Sequence, residues 1–95
     1  MSNVLLNAAW KAPCRSAAQK LVLLRLADRA DETGVCWPSV QGLAIDCGLS
    51  ERSVTRAIAA NKADIHISVK PTARTSQYHV HPRQDVTPDK LSNNP

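Results

Sequence analysis

Two short helical patterns joined by a three-residue connection constrain this chain more than any other feature. The patterns cover residues 40–47 and 51–62. Ser39 and Ser50 stand directly before them, and serine is a preferred cap for the first turn of a helix. Between the patterns, Gly48 can adopt the positive φ that lets the second helix leave at a steep angle. The sequence therefore predicts two helices that cross closely at a tight turn.

The composition limits the size and the core of the fold. A length of 95 residues predicts one small domain, too short for a nucleotide-binding α/β enzyme or a barrel. Aromatic residues make up only 3% of the chain, so the core must be built from Leu, Val, Ile and Ala, which favours helices. We expect Trp10 and Trp37 to lie in the core or in an interface.

The residues before the two patterns predict further helices and a short strand. Asn3 can cap a short helix that ends before Pro13. Ser16 can cap a longer helix that runs to about Ala30, whose broad apolar stripe is typical of a central helix. The three apolar residues 35–37, between a glycine and a proline, predict a short strand.

The residues after the two patterns change to the period of a β-strand. Ile65, Ile67 and Val69 alternate with polar residues, and Tyr78 and Val80 alternate in the same way. The polar residues 71–76 separate the two runs. We therefore expect a hairpin over about residues 65–81.

Several classes of protein and site are not expected. No apolar run approaches the ~20 residues that span a bilayer, and no secretory signal is visible, which predicts a cytoplasmic protein. Cys14, Cys36 and Cys47 lack the spacing of a zinc site and are expected to be reduced, small buried apolar residues. We expect no metal, no cofactor, no small-molecule substrate and no catalytic residue. Residues 83–95 are poor in large apolar side chains and are expected to form a flexible tail.

The charge of the chain favours an anionic partner. The formal net charge is +4 and the pI is about 9.3. The surplus lies after Leu49, where the second helical pattern carries Arg52 and Arg56 on its outward side. Arginine can bond a guanine edge with two parallel contacts, and hydroxyl groups can contact phosphates or bases. This pattern predicts a helix that reads double-stranded DNA and a hairpin that contacts it nearby. The predicted DNA-contacting residues lie on the two helices, their caps and the hairpin: Ser39, Gln41, Ser50, Glu51, Arg52, Ser53, Thr55, Arg56, Lys62, Lys70, Arg74 and Thr75.

The chain resembles a known family over about residues 16–81. The resemblance lies in K-L-V-L-L-R-L-A-D-R-A-D (20–31), G-V-C-W-P-S (34–39), L-A-I-D-C-G-L-S-E-R-S-V-T-R-A-I (43–58) and R-T-S-Q-Y-H-V (74–80). These segments resemble the winged helix-turn-helix domain of bacterial, phage and plasmid replication initiators and small regulators. The resemblance implies a mainly α fold with a small β-hairpin: a three-helix core plus a wing, with a possible extra N-terminal helix. Family members have a Leu and a Gly where this chain has residues 61–64, which affects the helix end and the wing angle.

The domain organisation and function follow as hypotheses. We expect an N-terminal arm or short helix over 1–15, the winged helix-turn-helix domain over 16–82 and the tail over 83–95. The leading hypothesis is sequence-specific binding of double-stranded DNA by a small transcriptional regulator of a phage, plasmid or other mobile element. The alternatives are a replication initiator or accessory factor, and a winged helix that binds protein. A homodimer is expected, with Leu5, Leu6 and Trp10 as the candidate interface.

Each predicted contact also has a structural interpretation. Arg52 and Arg56 can be solvated helix charges, and Glu51 can favour the helix N-terminus through the dipole or accept from a cytosine amino group. Lys70 and Arg74 are either wing contacts or charges that protect an edge strand. In the predicted geometry, Ser39 both caps its helix and approaches a phosphate.

Overall fold

The computed structural model describes residues 3–73 and 75–82, which form a mainly α fold with a small antiparallel sheet. The predicted fold class is confirmed, and Arg74 and the predicted tail 83–95 lie outside the described residues. The helices and strands, in chain order, are α1 (Asn3–Lys11), α2 (Ala17–Arg29), β1 (Val35–Cys36), α3 (Val40–Cys47), α4 (Glu51–Ala63), β2 (Ile67–Pro71) and β3 (Ser76–Val80). No helix among these residues is long and apolar enough to cross a bilayer.

Serine caps set where three of the helices begin. Ser16, Ser39 and Ser50 have extended backbones, and each hydroxyl oxygen accepts a hydrogen bond from the backbone N–H three residues later, at 2.9–3.1 Å. This contact satisfies one of the unpaired N–H groups of a first helical turn. The predicted starts of α2, α3 and α4 are therefore confirmed. α1 begins at Asn3 itself, one residue earlier than predicted.

The connection between α3 and α4 has the predicted left-handed residue. Gly48 ends α3 with φ 67° and ψ 34°. The next residue, Leu49, donates its N–H to the carbonyl of Ala44 at 3.0 Å and packs against the core. Ala44 is buried, so the two helices pack over a small side chain near the turn. The chain therefore reverses into α4 within three residues.

Alanine in place of Gly48 is expected to lower the free energy of unfolding by about 1 kcal/mol. A Cβ at this position would meet no atom within 4 Å, so the cost comes from the left-handed backbone alone. Asparagine tolerates this conformation better, so Gly48→Asn is expected to cost less. Gly34→Ala is expected to cost more, because its φ is 83° and a Cβ there would lie 3.0 Å from the carbonyl oxygen of Val80. Urea unfolding of the three variants checks this order, and a neutral Gly48→Ala would contradict it.

The core surrounds α2, as the broad apolar stripe predicted. Leu23 and Leu26 are fully buried, and α2 packs against α1, α3, α4 and the sheet. Ala9 of α1 and Ala12, the residue that follows α1, enter the same core. α1 is the extra N-terminal helix that was expected as possible beside the three-helix core, and the domain boundaries near residues 15 and 82 stay a prediction.

The sheet has three antiparallel strands in the order β1-β3-β2. Ile67 pairs with Val80, and Pro71 pairs with Ser76, so β2 and β3 form the predicted hairpin. Tyr78 and Val80 are both buried, as the alternation indicated. The short strand β1 extends the hairpin along the other edge of β3.

The predicted start of the hairpin is wrong by two residues. Ile65 is not in a strand: its φ is +63° and its side chain is 58% exposed. His66 is fully buried, and its Nε2 lies 2.8 Å from the carbonyl oxygen of Pro13. The alternation predicted that Ile65 is buried and His66 exposed, and the left-handed turn at Ile65 reverses this. β2 begins only at Ile67. Pro71, predicted to open the loop, is the last residue of β2.

Of the two places expected for the tryptophans, the core is excluded by the structure. Trp10 is 61% exposed and Trp37 is 52% exposed. On α1, Ala9 faces the core, so the next residue, Trp10, points away from it. Cys36 points into the core, so the next residue, Trp37, points away from it. Their place in an interface stays a prediction.

The predicted burial of the cysteines is confirmed for Cys36. Its thiol is buried, and this burial raises the pKa of Cys36 to about 11. Cys14 and Cys47 are half-buried, and burial raises the pKa of these thiols as well. The thiols therefore stay protonated near neutral pH and behave as small packing groups.

Candidate nucleic-acid interface

The outward face of α4 carries a continuous exposed stripe. Arg52, Thr55, Arg56 and Ala59 are exposed, and their spacing of i, i+3, i+4 and i+7 places them on one side of a helix. The opposite side packs on the core through a buried set: Val54, Ala57 and Asn61. We call the exposed set the α4 stripe. Its geometry leaves all four side chains available to a partner.

The two arginines of the α4 stripe form no ion pair with any described residue, whereas the other described arginines are paired. The Nη2 atom of Arg15 lies 2.5 Å from an oxygen of Asp64. Arg25 and Arg29 both contact Asp46, at 2.9 and 3.6 Å. The paired guanidinium groups are partly neutralised by carboxylates, whereas the two arginines of the stripe keep their full charge.

The hydroxyl groups at the start of α4 are partly engaged by the helix itself. Ser50 accepts from the N–H of Ser53 at 3.1 Å and donates to the hydroxyl of Ser53 at 3.0 Å. Thr55 donates its hydroxyl proton to the carbonyl oxygen of Glu51 at 3.0 Å. Ser50 therefore acts as the cap, and Ser53 keeps a hydroxyl proton free to donate. Of the other predicted α4 residues, Glu51 and Lys62 are exposed.

A groove lies between the start of α3 and the hairpin. It has a volume of about 360 Å³, and its walls include Ser39 from the α3 cap and Thr75 from the hairpin loop. The loop is held by a hydrogen bond between the N–H of Thr72 and the carbonyl of Thr75, at 2.9 Å. Ser39 and Thr75, which are distant in sequence, are thus brought together, whereas Gln41 is exposed on α3 outside the groove lining. Lys70 is exposed on β2.

The comparison with protein families identifies this arrangement. A family model described as a helix-turn-helix domain matches residues 16–60, which contain α2, α3 and α4. Residues 16–60 form a helix-turn-helix domain. With the hairpin beside it, the domain is consistent with a winged helix-turn-helix, a class of DNA-binding domain that typically has no enzymatic activity.

A curated relative is similar to most of this domain. The chain is 35% identical over 68 residues to Protein YmfN of Escherichia coli (strain K12). The match covers 67% of this chain and 15% of the relative, so the chain spans only a small part of that protein's length. No solved structure matches the chain.

Arg15 and Ser16 lie next to the α4 stripe, and the sequence did not predict this position. They line a groove of about 350 Å³ together with Ser53 and Arg56 of α4. No periodic pattern links residues at the start of α2 with α4, so only the tertiary packing reveals this neighbourhood. Ala59 was missed as well, although its spacing from Arg52 is a signal that sequence reading can use.

A buried polar network fixes α4 against α2 within the helix-turn-helix domain. The side-chain NH2 group of Gln19 donates to the side-chain oxygen of Asn61 at 3.2 Å and to Asp64 at 2.9 Å, and the side-chain NH2 group of Asn61 donates to the backbone carbonyl of Gln19 at 3.3 Å. Gln19 and Asn61 are fully buried. Hydrogen bonds from Arg15 and then Gln19 hold the pKa of Asp64 below its usual range. These contacts lie at the C-terminal end of α4, directly after the residues that the family model matches.

Within the described part of the chain, no three His, Cys, Asp or Glu side chains come together as metal ligands. The rings of His79 and His81 lie edge to face with centroids 5.4 Å apart, and His81 Nε2 lies 2.8 Å from the hydroxyl oxygen of Ser68. These contacts hold the two rings in place on the hairpin.

Proposed function

We propose that this helix-turn-helix domain binds double-stranded DNA with sequence specificity and without catalysis. One observation carries the proposal: Arg52 and Arg56 lie exposed on one face of α4, and neither forms an ion pair with a described residue. Long cationic side chains left uncompensated on a projecting helix favour a grooved polyanion. α4 then enters the major groove as the recognition helix.

In the proposed complex, contacts with phosphates set the register, and contacts with bases provide the specificity. Ser39, Thr75 and Lys70 border or flank the groove between α3 and the hairpin, so they suit phosphate contacts that set the register. Arg52 and Arg56 are one helical turn apart, a rise of about 6 Å. That rise is close to two base-pair steps of ~3.4 Å. We therefore propose that the two arginines contact guanines about two steps apart.

We propose a separate role for each of the remaining predicted site residues. The free hydroxyl proton of Ser53 suits a base or phosphate acceptor, and Gln41 and Lys62 suit flanking phosphates. Ser50 is occupied as the cap, and Glu51 stands in the first turn, where its charge favours the helix dipole. Arg74 is proposed as a wing contact on its charge alone.

We propose that two copies bind together, because one small domain buries little DNA surface. The candidate contact face lies on α1 and α2, where the exposed Trp10 and the partly buried Leu6 border a groove of about 340 Å³. Leu21, 42% exposed, continues this apolar face. Two domains joined in this way would read a repeated or palindromic site.

The cellular role that we propose is transcriptional regulation for a phage, plasmid or other mobile element, in the cytoplasm and on the nucleoid. The family resemblance also covers replication initiators, which use the same mode of binding. The bound sequence separates these roles: a palindrome beside a promoter supports a regulator, and an array of direct repeats supports an initiator.

Selection of duplexes from a random pool, followed by salt titration of the enriched duplex, tests the proposal. We expect a guanine-containing motif and a binding constant that falls linearly with salt on a logarithmic scale. No retention of duplex at low salt would overturn DNA binding. Capture of a defined protein by the same surface, lost in Arg56→Ala, would then support the alternative role in protein interaction.

A further inference from the structure

We propose that Thr55 reads the C5-methyl group of a pyrimidine, thymine in unmodified DNA, through its own methyl group. This inference rests on the proposed function, because it needs α4 in the major groove. It adds a specificity-determining contact to the two arginines. The observations that carry it are the hydrogen bond of the Thr55 hydroxyl and the place of Thr55 in the α4 stripe.

The hydroxyl proton of Thr55 is already used inside the helix. Its Oγ1 atom donates to the carbonyl oxygen of Glu51 at 3.0 Å, a bond that threonine commonly makes to the preceding turn. The base edges that line the major groove present mostly acceptors, N7, O6 and O4, which need a donor. With its proton committed, Thr55 offers them none. The side chain, which is exposed, therefore offers a base its γ-methyl group and an acceptor lone pair on Oγ1.

Along the axis of α4, Thr55 lies between the two arginines. Thr55 follows Arg52 by three residues and precedes Arg56 by one, so it shares their face of α4. Ala59, four residues later, adds a second exposed methyl to the same face. The α4 stripe therefore carries exposed methyl groups beside its two charged groups. In the major groove, the apolar group that complements such a surface is the pyrimidine C5-methyl.

Thr55 could instead contact a base through its hydroxyl oxygen, and substitutions of Thr55 would then have the opposite effects. Oγ1 keeps a lone pair that can accept from the amino group of adenine or cytosine. Thr55→Val keeps the branched shape and the methyl but removes the oxygen. Thr55→Ser keeps the oxygen and removes the methyl. The two substitutions therefore separate methyl contact from hydroxyl contact.

The experiment measures the affinity of the wild-type protein and both variants for the selected duplex, with each pyrimidine position varied in turn. At one position we expect thymine to bind about fourfold more tightly than uracil, the effect of burying one methyl-sized group. 5-Methylcytosine should exceed cytosine there by a similar factor. Thr55→Val should keep both ratios, and Thr55→Ser should reduce both toward one.

Two results would overturn the inference. One is the absence of any position where the methyl matters to the wild-type protein. The other is a methyl preference that survives in Thr55→Ser and is lost in Thr55→Val. Thr55 is exposed, and circular dichroism of both variants verifies that they fold. If the wild-type protein retains no duplex at all, the proposed function itself fails; if it binds duplex but tolerates uracil at every position, only this inference fails.

Discussion

Alanine in place of Arg56 is expected to lower the affinity for the selected duplex by about 30-fold, or ~2 kcal/mol, enough to abolish its retardation in a gel. The reason is the loss of the proposed two-point contact between Arg56 and a base. Arg56 is exposed and forms no ion pair with a described residue, so its removal leaves the stability of the domain nearly unchanged. Selection with the variant should also show relaxed preference at one base pair.

Lys11→Ala is the matched control for this loss of charge. Lys11 is exposed in the last turn of α1, and the variant has the same net charge as Arg56→Ala. If α4 is the recognition helix, Lys11→Ala weakens binding only slightly and leaves the base preference intact. Equal weakening by the two substitutions would show that net charge alone drives binding, which contradicts specific reading by α4.

Alanine in place of Asn61 is expected to lower the free energy of unfolding by about 3 kcal/mol. The substitution leaves a cavity and removes the acceptor of a Gln19 N–H in a fully buried site. It also removes one of the contacts that hold α4 at its angle against α2. Urea unfolding measures the loss of stability, and duplex binding under folded conditions is expected to weaken although Asn61 contacts no DNA.

Asn7→Ala provides the control for the same chemical change at an exposed position of α1. Because alanine favours a helix more than asparagine does, this variant should be at least as stable as the wild-type protein. If Asn7→Ala and Asn61→Ala behave alike, the buried network does not hold the helix-turn-helix domain together. If Asn61→Ala is unstable but binds DNA with unchanged affinity when folded, the network does not position α4.

Features of this fold that depend on neighbouring residues could be predicted from the sequence, and features that depend on distant residues could not. The serine caps and the left-handed Gly48 were predictable, because each depends on atoms within four residues along the chain. The hairpin start was not, because His66 turns inward to the carbonyl of Pro13, 53 residues away in sequence. Alternation along 65–70 contains no information about that partner.

The sequence by itself determined the order of helices and strands, the tight turn before α4 and the polar outward face of α4. These features depend on local backbone preference and on the periodicity of apolar residues. Only the tertiary structure decided that Gln19 and Asn61 meet across 42 residues of chain, and that Arg15 pairs with Asp64 while Arg52 and Arg56 form no ion pair with a described residue. The physical reason is that an ion pair or a buried hydrogen bond depends on which distant side chain the folded backbone brings within about 3 Å.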